Sequence, residues 1–299
     1  MSAQSRPSLR RVLSDTTRII SSNSLHFATL SLLLIVPISL FNVVHALILQ
    51  PSPSPFNSPI PPFDKSLLIY GLALLIFNIF SASSVTHSIF HAYHRNPIKL
   101  SSSLKSILSS FLPLLATKLA YFVTFVAISF GFGICIGVVM SGMILLGFDI
   151  SPTSIPFMAV EVILLAALFV YLWVEWCLMD AVVVVESKYG FAPLKRSSAL
   201  VKGMRRVAFL MIALLAILQG IISWRFLVSG GGGWRGGVVL QLVVCAALST
   251  VATLFGLAAT TVLFIHCKSV NGESEKFPSD EMMLRQIYVQ LPRDVVDDV

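Results

Sequence analysis

Apolar residues run along this chain in long blocks separated by short polar interruptions, without the alternation of a half-buried strand. A helix that crosses a bilayer needs about 20 predominantly apolar residues. The blocks that meet this length are His26 to Leu49, Leu67 to Phe90, Phe111 to Leu146, Pro156 to Val185, Val207 to Phe226 and Val238 to His266. The third is too long for one perpendicular crossing, so it begins along the interface or crosses tilted. Between blocks, Gln50 to Lys65 is rich in Pro and Ser, Gly147 to Ile155 is short, and Ser229 to Gly237 holds four consecutive glycines before Trp234 and Arg235. Such compositions end helices and predict turns or flexible connections. The pattern predicts an all-α polytopic bundle in three parts: a basic N-terminal segment over 1–25, a six-span domain over 26–268, and an acidic, disordered tail over 269–299.

Composition agrees with that reading and excludes a water-soluble domain. Hydrophobic residues make up 56% of the chain and charged residues 12%, where a soluble domain carries about 25% charge. Mean hydropathy is +0.87. The net charge of +7 does not form one basic patch; it lies in clusters beside the apolar blocks, where anionic headgroups attract it. The expected partners are therefore membrane lipids, anionic headgroups among them, and not nucleic acid.

The basic clusters also set an orientation. Arg6, Arg10, Arg11 and Arg18 precede span one; Arg95, Lys99 and Lys105 follow span two; Lys188, Lys195, Arg196, Lys202, Arg205 and Arg206 follow span four. The opposite connections carry only Lys65, Arg225 and Arg235, so the basic set and both termini are expected in the cytoplasm. The N-terminal segment is rich in Arg and Ser with Asp15 as its single acid, which resembles an organellar transit peptide. Its apolar run is too long for a cleaved signal, and span one reads as an uncleaved anchor in an endomembrane or the plasma membrane, with an organellar membrane as the alternative.

Two cytoplasmic connections match each other without gaps, Pro97 to Leu104 with Pro193 to Leu200. An offset of two spans would make this a parallel repeat. At 100° per residue, Leu194, Ser197, Val201, Met204 and Ala208 share one helix face while Lys195, Arg196, Lys202, Arg205 and Arg206 share the other. The earlier copy sorts Leu100, Leu104, Ile107, Leu108 and Phe111 opposite Lys99, Ser102, Lys105, Ser106 and Ser109. Both predict interfacial helices on the cytoplasmic leaflet, or connectors placed only by their positive charge. The five cations of the second copy are the candidate lipid- or partner-contact site.

The stretch Val182 to Gly203 has a run of valines and a Glu ending a span, a Tyr189-Gly190 turn, the helix start Ala192-Pro193-Leu194-Lys195-Arg196-Ser197, and a Leu200-Val201-Lys202-Gly203 close. This resembles a signature of plant six-span membrane proteins of unknown function and, more distantly, of the membrane domain attached to some bacterial glycerophosphoryl diester phosphodiesterases. Val12 to Ile20 and the Pro37-Ile38-Ser39 step in span one resemble the plant family as well. Pro193 departs from the Ala or Glu of that pattern but suits a first helical turn. The resemblance implies a six-span fold; the phosphodiesterase catalytic domain is not in this sequence, so its activity does not carry over.

Four charges lie inside predicted spans: Lys118 in span three and Glu161, Glu175 and Asp180 in span four. A charge at the bilayer centre costs about 2.5–3.5 kcal/mol on insertion scales, which makes such residues functional candidates. Lys118 and Asp180 lie at matched depth and are expected to form a structural ion pair. Glu175, deeper and flanked by Trp173 and Trp176, is the candidate for a proton- or cation-linked role, against a hydrogen-bonded packing role. The Gly133 to Gly137 step reads as close internal helix packing before dimerisation.

Cys135, Cys177, Cys245 and Cys267 show no metal-ligand spacing and read as core packing. His87, His91 and His94 approximate helical spacing but, beside Tyr93 and Arg95, read as an interfacial belt before a metal site. No catalytic, cofactor-binding or metal site is predicted. The expectation is a non-enzymatic scaffold acting through lipid contact or partner docking, with a small-solute or ion transporter using Glu175 and Lys118 as the alternative.

Overall fold

The computed structural model describes residues 8–48, 65–94, 100–147, 155–229 and 235–273. The expected tail beyond 273, most of the Pro-rich connection and the glycine run lie outside them. The described residues form helices and no strands: α1 (Leu9–Ser22), α2 (Ser24–Leu30), α3 (Val36–Ile48), α4 (Lys65–Tyr93), α5 (Leu100–Leu145), α6 (Ile155–Trp176), α7 (Met179–Glu186), α8 (Ala192–Val201), α9 (Arg205–Ser229) and α10 (Arg235–Val270). Among these residues, six stretches are long and apolar enough to cross a membrane, matching the six predicted blocks. The chain is an all-α bundle with the character of an integral membrane protein.

Span one comprises α2 and α3, joined by a wide turn over Ser31–Ile35 in which hydrogen bonds reach one residue further than in an α-helix. Pro37 lies two residues beyond it and cannot donate to the ladder, and such local widening is a common way to absorb the defect. Span four is also interrupted: α6 ends at Trp176, Leu178 adopts φ −94° and ψ 1°, and α7 resumes at Met179.

Two expectations about the connections change. The first amphipathic copy is not a separate interfacial helix: from Leu100 it continues straight into α5, a helix of 46 residues containing Pro113, about 69 Å long at 1.5 Å per residue. Its early part packs on α4, where Ser83 Oγ donates to the Ser106 carbonyl (3.2 Å) and Ser88 and Ser103 hydroxyls meet at 2.8 Å. The second copy is a separate helix, α8, but it is shorter than predicted and ends before Lys202; its Pro193, Leu194, Ser197, Leu200 and Val201 are buried against the bundle. The expected helix over Pro193 to Val207 is thus broken by a turn over Lys202 to Met204, after which α9 begins at Arg205.

The main core gathers at one end of the bundle, where Val12 and Phe27 meet Val85, Ile89, Leu178, Val182, Leu200, Val201, Met211 and the Ala258 to Cys267 face of α10. Hydroxyl pairs cross between helices there and along α10, including Ser39 with Thr250 at 2.9 Å and Thr261 with Thr86 at 3.3 Å. Small polar contacts of this kind replace the hydrophobic drive that is missing between helices in lipid. The glycines of α5 do not pack internally: a Cβ placed on Gly131, Gly133, Gly137 or Gly142 meets nothing within 4 Å. The second half of α5 is exposed along most of its length, and these glycines have no other helix of this chain packed against them among the described residues.

Candidate functional site

Lys118, Glu175 and Asp180, three of the four charges of spans three and four, lie with α8 and α9 at the core end. Span four is broken at Cys177-Leu178, and the Ser197 hydroxyl of α8 fills the gap: it donates to the Glu175 carbonyl (2.7 Å) and accepts from the Leu178 N–H (3.2 Å). Ser197 is fully buried, so one side chain satisfies two backbone groups freed by the interruption.

Glu175 is 4% exposed. Ser198 Oγ of α8 donates to its Oε2, and Arg205 Nη2 at the start of α9 lies 2.6 Å from its Oε1. The Arg205 contact is a charge pair outside hydrogen-bond alignment, because Oε1 has no hydrogen-bond partner that meets the angle. A buried carboxylate is tolerable when paired and hydrogen-bonded, and Glu175 is both.

Lys118 Nζ of α5 donates to Asp180 Oδ2 of α7 at 2.8 Å, with side chains 15% and 22% exposed, as their matched depth predicts. Asp180 Oδ1 is buried without a hydrogen-bond partner among the described residues. Tyr121 packs edge-on to Trp176, and Phe125 stacks on Phe169 at 4.8 Å, so aromatic rings bridge α5 and α6 beside the pair. Glu161 is half-buried near the far end of α6 and has no ion-pair partner among the described residues. It is not brought to this site.

A second cluster closes the same end. Glu186, at the C-terminus of α7, lies 2.8 Å from Lys188, 3.3 Å from Arg196 and 3.9 Å from Lys268. Arg196 also pairs with Glu273 beyond α10, and that carboxylate, together with Glu186, holds its guanidinium above the ordinary arginine range. Gly190 adopts φ +71° in the turn that leads from this cluster into α8, a conformation that glycine enters without a Cβ penalty. Asp15 of α1 accepts from or pairs with His266 of α10 at 3.1 Å.

The five cations grouped on one predicted face therefore divide. Arg196 and Arg205 are engaged by Glu186, Glu273 and Glu175, while Lys195, Lys202 and Arg206 are exposed with no partner among the described residues. The sequence reading missed the Glu175–Arg205 pair, the Ser197 bridge, the Glu186 cluster and the docking of α1. The signal for α1 was present in the spacing of Leu9, Val12, Leu13, Thr16, Ile19 and Ile20.

His87 and His91 rings lie 4.3 Å apart while His94 stacks on Phe90; among the described residues no group of three or more His, Cys, Asp or Glu side chains is placed to hold a metal. Cys245 and Cys267 are buried, Cys177 is half-buried, and Cys135 is exposed on the second half of α5, which corrects the core-packing expectation for Cys135.

No curated protein and no solved structure matches the chain. A family model does, over residues 65–283, taking in spans two to six, the interruption in span four and all of α8. The chain accordingly belongs to the family described as a domain of unknown function, DUF8558.

Proposed function

We propose that this protein is a non-enzymatic membrane scaffold that contacts anionic lipid headgroups through Lys195, Lys202 and Arg206 at the α8–α9 turn. The observation that carries the reading is the division of cations: Arg196 and Arg205 are paired with carboxylates, while Lys195, Lys202 and Arg206 are exposed with no partner among the described residues at one end of a membrane-spanning bundle. Each cation near an anionic surface contributes on the order of 1 kcal/mol, within a Debye length of the charge. The apolar face of α8 is committed to the bundle, so attraction at this turn is electrostatic rather than insertional.

The basic connections, both termini and this turn lie on the cytoplasmic face in this reading, with an endomembrane or the plasma membrane as the site. The pairing of Asp15 with the buried His266 supports the two termini sharing one face, since it joins the N-terminal helix to the last turns of α10. The finer resemblance to plant six-span proteins and to phosphodiesterase-linked membrane domains fits a role beside lipid headgroups.

The test is lipid mass spectrometry of the full-length protein purified from membranes. K195Q/K202Q/R206Q is expected to co-purify with less anionic phospholipid than wild type while keeping neutral lipid; equal anionic lipid in wild type and variant overturns the reading. A transporter is the second reading, and the interruption of span four beside Glu175 is what favours it, since broken helices line many transport sites. Proton or cation flux in proteoliposomes that falls with E175Q would select it.

A further inference from the structure

α1 is a strongly two-sided helix. Leu9, Val12, Thr16 and Ile20 share one face and Arg10, Arg11 and Arg18 the other. Val12 and Thr16 are buried against the core end of the bundle, and all three arginines are exposed. The one acid of the helix, Asp15, turns inward to His266 of α10 at 3.1 Å. The exposed hydroxyls of Thr17, Ser21 and Ser22 donate to carbonyls of their own helix at 2.8, 3.0 and 2.9 Å. The outward face thus presents three guanidinium groups, and the one carboxylate near them, Asp15, is half-buried and paired with His266.

Its position follows from the chain. Asn23 alone separates α1 from α2, and the first span begins at Ser24. The helix is therefore held where span one meets the headgroup layer, and contacts with α10 and α4 keep its polar side turned away from the bundle. Guanidinium groups bind phosphate oxygens in pairs of parallel hydrogen bonds, a geometry that water or a lysine ammonium does not reproduce.

We propose that the outward face of α1, through Arg10, Arg11 and Arg18, is a second binding surface for the phosphate groups of anionic phospholipids, separate from the α8–α9 turn. It rests on the function proposed above only in that both surfaces meet the same leaflet. α1 acts as a docked collar whose inner face is closed by Val12, Thr16 and the Asp15–His266 contact, which orients the arginines before any lipid arrives.

The experiment is a titration of full-length protein in neutral maltoside detergent with dioleoylphosphatidylserine, read by native mass spectrometry, with dioleoylphosphatidylcholine as the neutral reference. R10Q/R11Q/R18Q is expected to bind fewer phosphatidylserine molecules than wild type at low salt, the share held at α1 weakening roughly 10- to 100-fold, with phosphatidylcholine unchanged. R10K/R11K/R18K is expected to recover part of the affinity, since charge returns without the paired hydrogen bonds. Wild-type affinity in the glutamine variant overturns the proposal. If only K195Q/K202Q/R206Q loses binding, this inference fails and the α8–α9 reading stands; if only the α1 variant loses it, the reverse holds. All three arginines are exposed, so an unchanged elution profile is expected, and the single-site glutamine variants carry the same comparison if the triple variant aggregates.

Discussion

The core end of the bundle, built from α1, α7, α8 and the last turns of α10, contrasts with the far half of α5 and α6. At the core end, the carboxylates of Glu175, Asp180 and Glu186 are each paired with a cation, and Ser197 satisfies a broken helix from within. In the far half, large apolar residues such as Phe130, Val138, Leu145 and Ile163 are exposed, as are the glycines between them. None of the most apolar window of span three is buried, against 44% of that in span six. Lipid tails are as apolar as these side chains, so burial of oily surface does not decide where helices pack in a membrane. Polar satisfaction and small-residue fit do, and both are concentrated at one end.

The comparison breaks first, and most visibly, at the Lys118–Asp180 pair. D180L leaves Lys118 without its carboxylate, at a cost of about 3 kcal/mol for an uncompensated buried charge, and is expected to lower folded yield sharply. K118L/D180L removes both charges and is expected to recover part of that yield, read as the monodisperse fraction in detergent. A double variant no better than the worse single one would sever the link between this pair and the fold.

Next in size is Ser197. S197A deprives the Glu175 carbonyl and the Leu178 N–H of their shared partner, and S197A is expected to destabilise the bundle by about 1–3 kcal/mol. A thermal midpoint equal to wild type would show that the interruption of span four is satisfied in another way. E175Q keeps a side chain that can accept from Ser198 but removes the charge facing Arg205. Because Arg205 is 47% exposed, water takes over part of the lost contact, and a loss of about 1 kcal/mol is expected. G133L and G137L, in the far half, are expected to change stability by no more than about 0.5 kcal/mol. A large loss from either would mean that α5 packs closely through those glycines after all.

What could be read from sequence divides along the same line. The six spans follow from apolar length alone, and Lys118 with Asp180 from equal depth, because both depend on position along one axis. The interruption at Cys177-Leu178 could not be read, since Trp176, Cys177, Leu178 and Met179 are all compatible with continuous helix. It exists because Ser197, about 20 residues later, docks into it. The Glu175–Arg205 pair escaped for a related reason: on a single continuous helix Arg205 falls on the same face as Lys195, Lys202 and Arg206, and the turn at Lys202 to Met204 breaks that helix and leaves Arg205 beside Glu175. α1 was legible in its periodicity but lay in a segment short of the length that marks a span.

The most direct test of the account is the sidedness of its two ends. The claim is that the core end, both termini and the basic connections share one membrane face, with the connection over 230–234 on the other. Epitope tags at residue 1, at residue 299 and within 230–234, probed in intact and permeabilised cells, are expected to place the two terminal tags together in the cytoplasm and the internal tag on the opposite side. A terminal tag on the same side as the 230–234 tag would contradict the six-span arrangement and, with it, the placement of every cation discussed above.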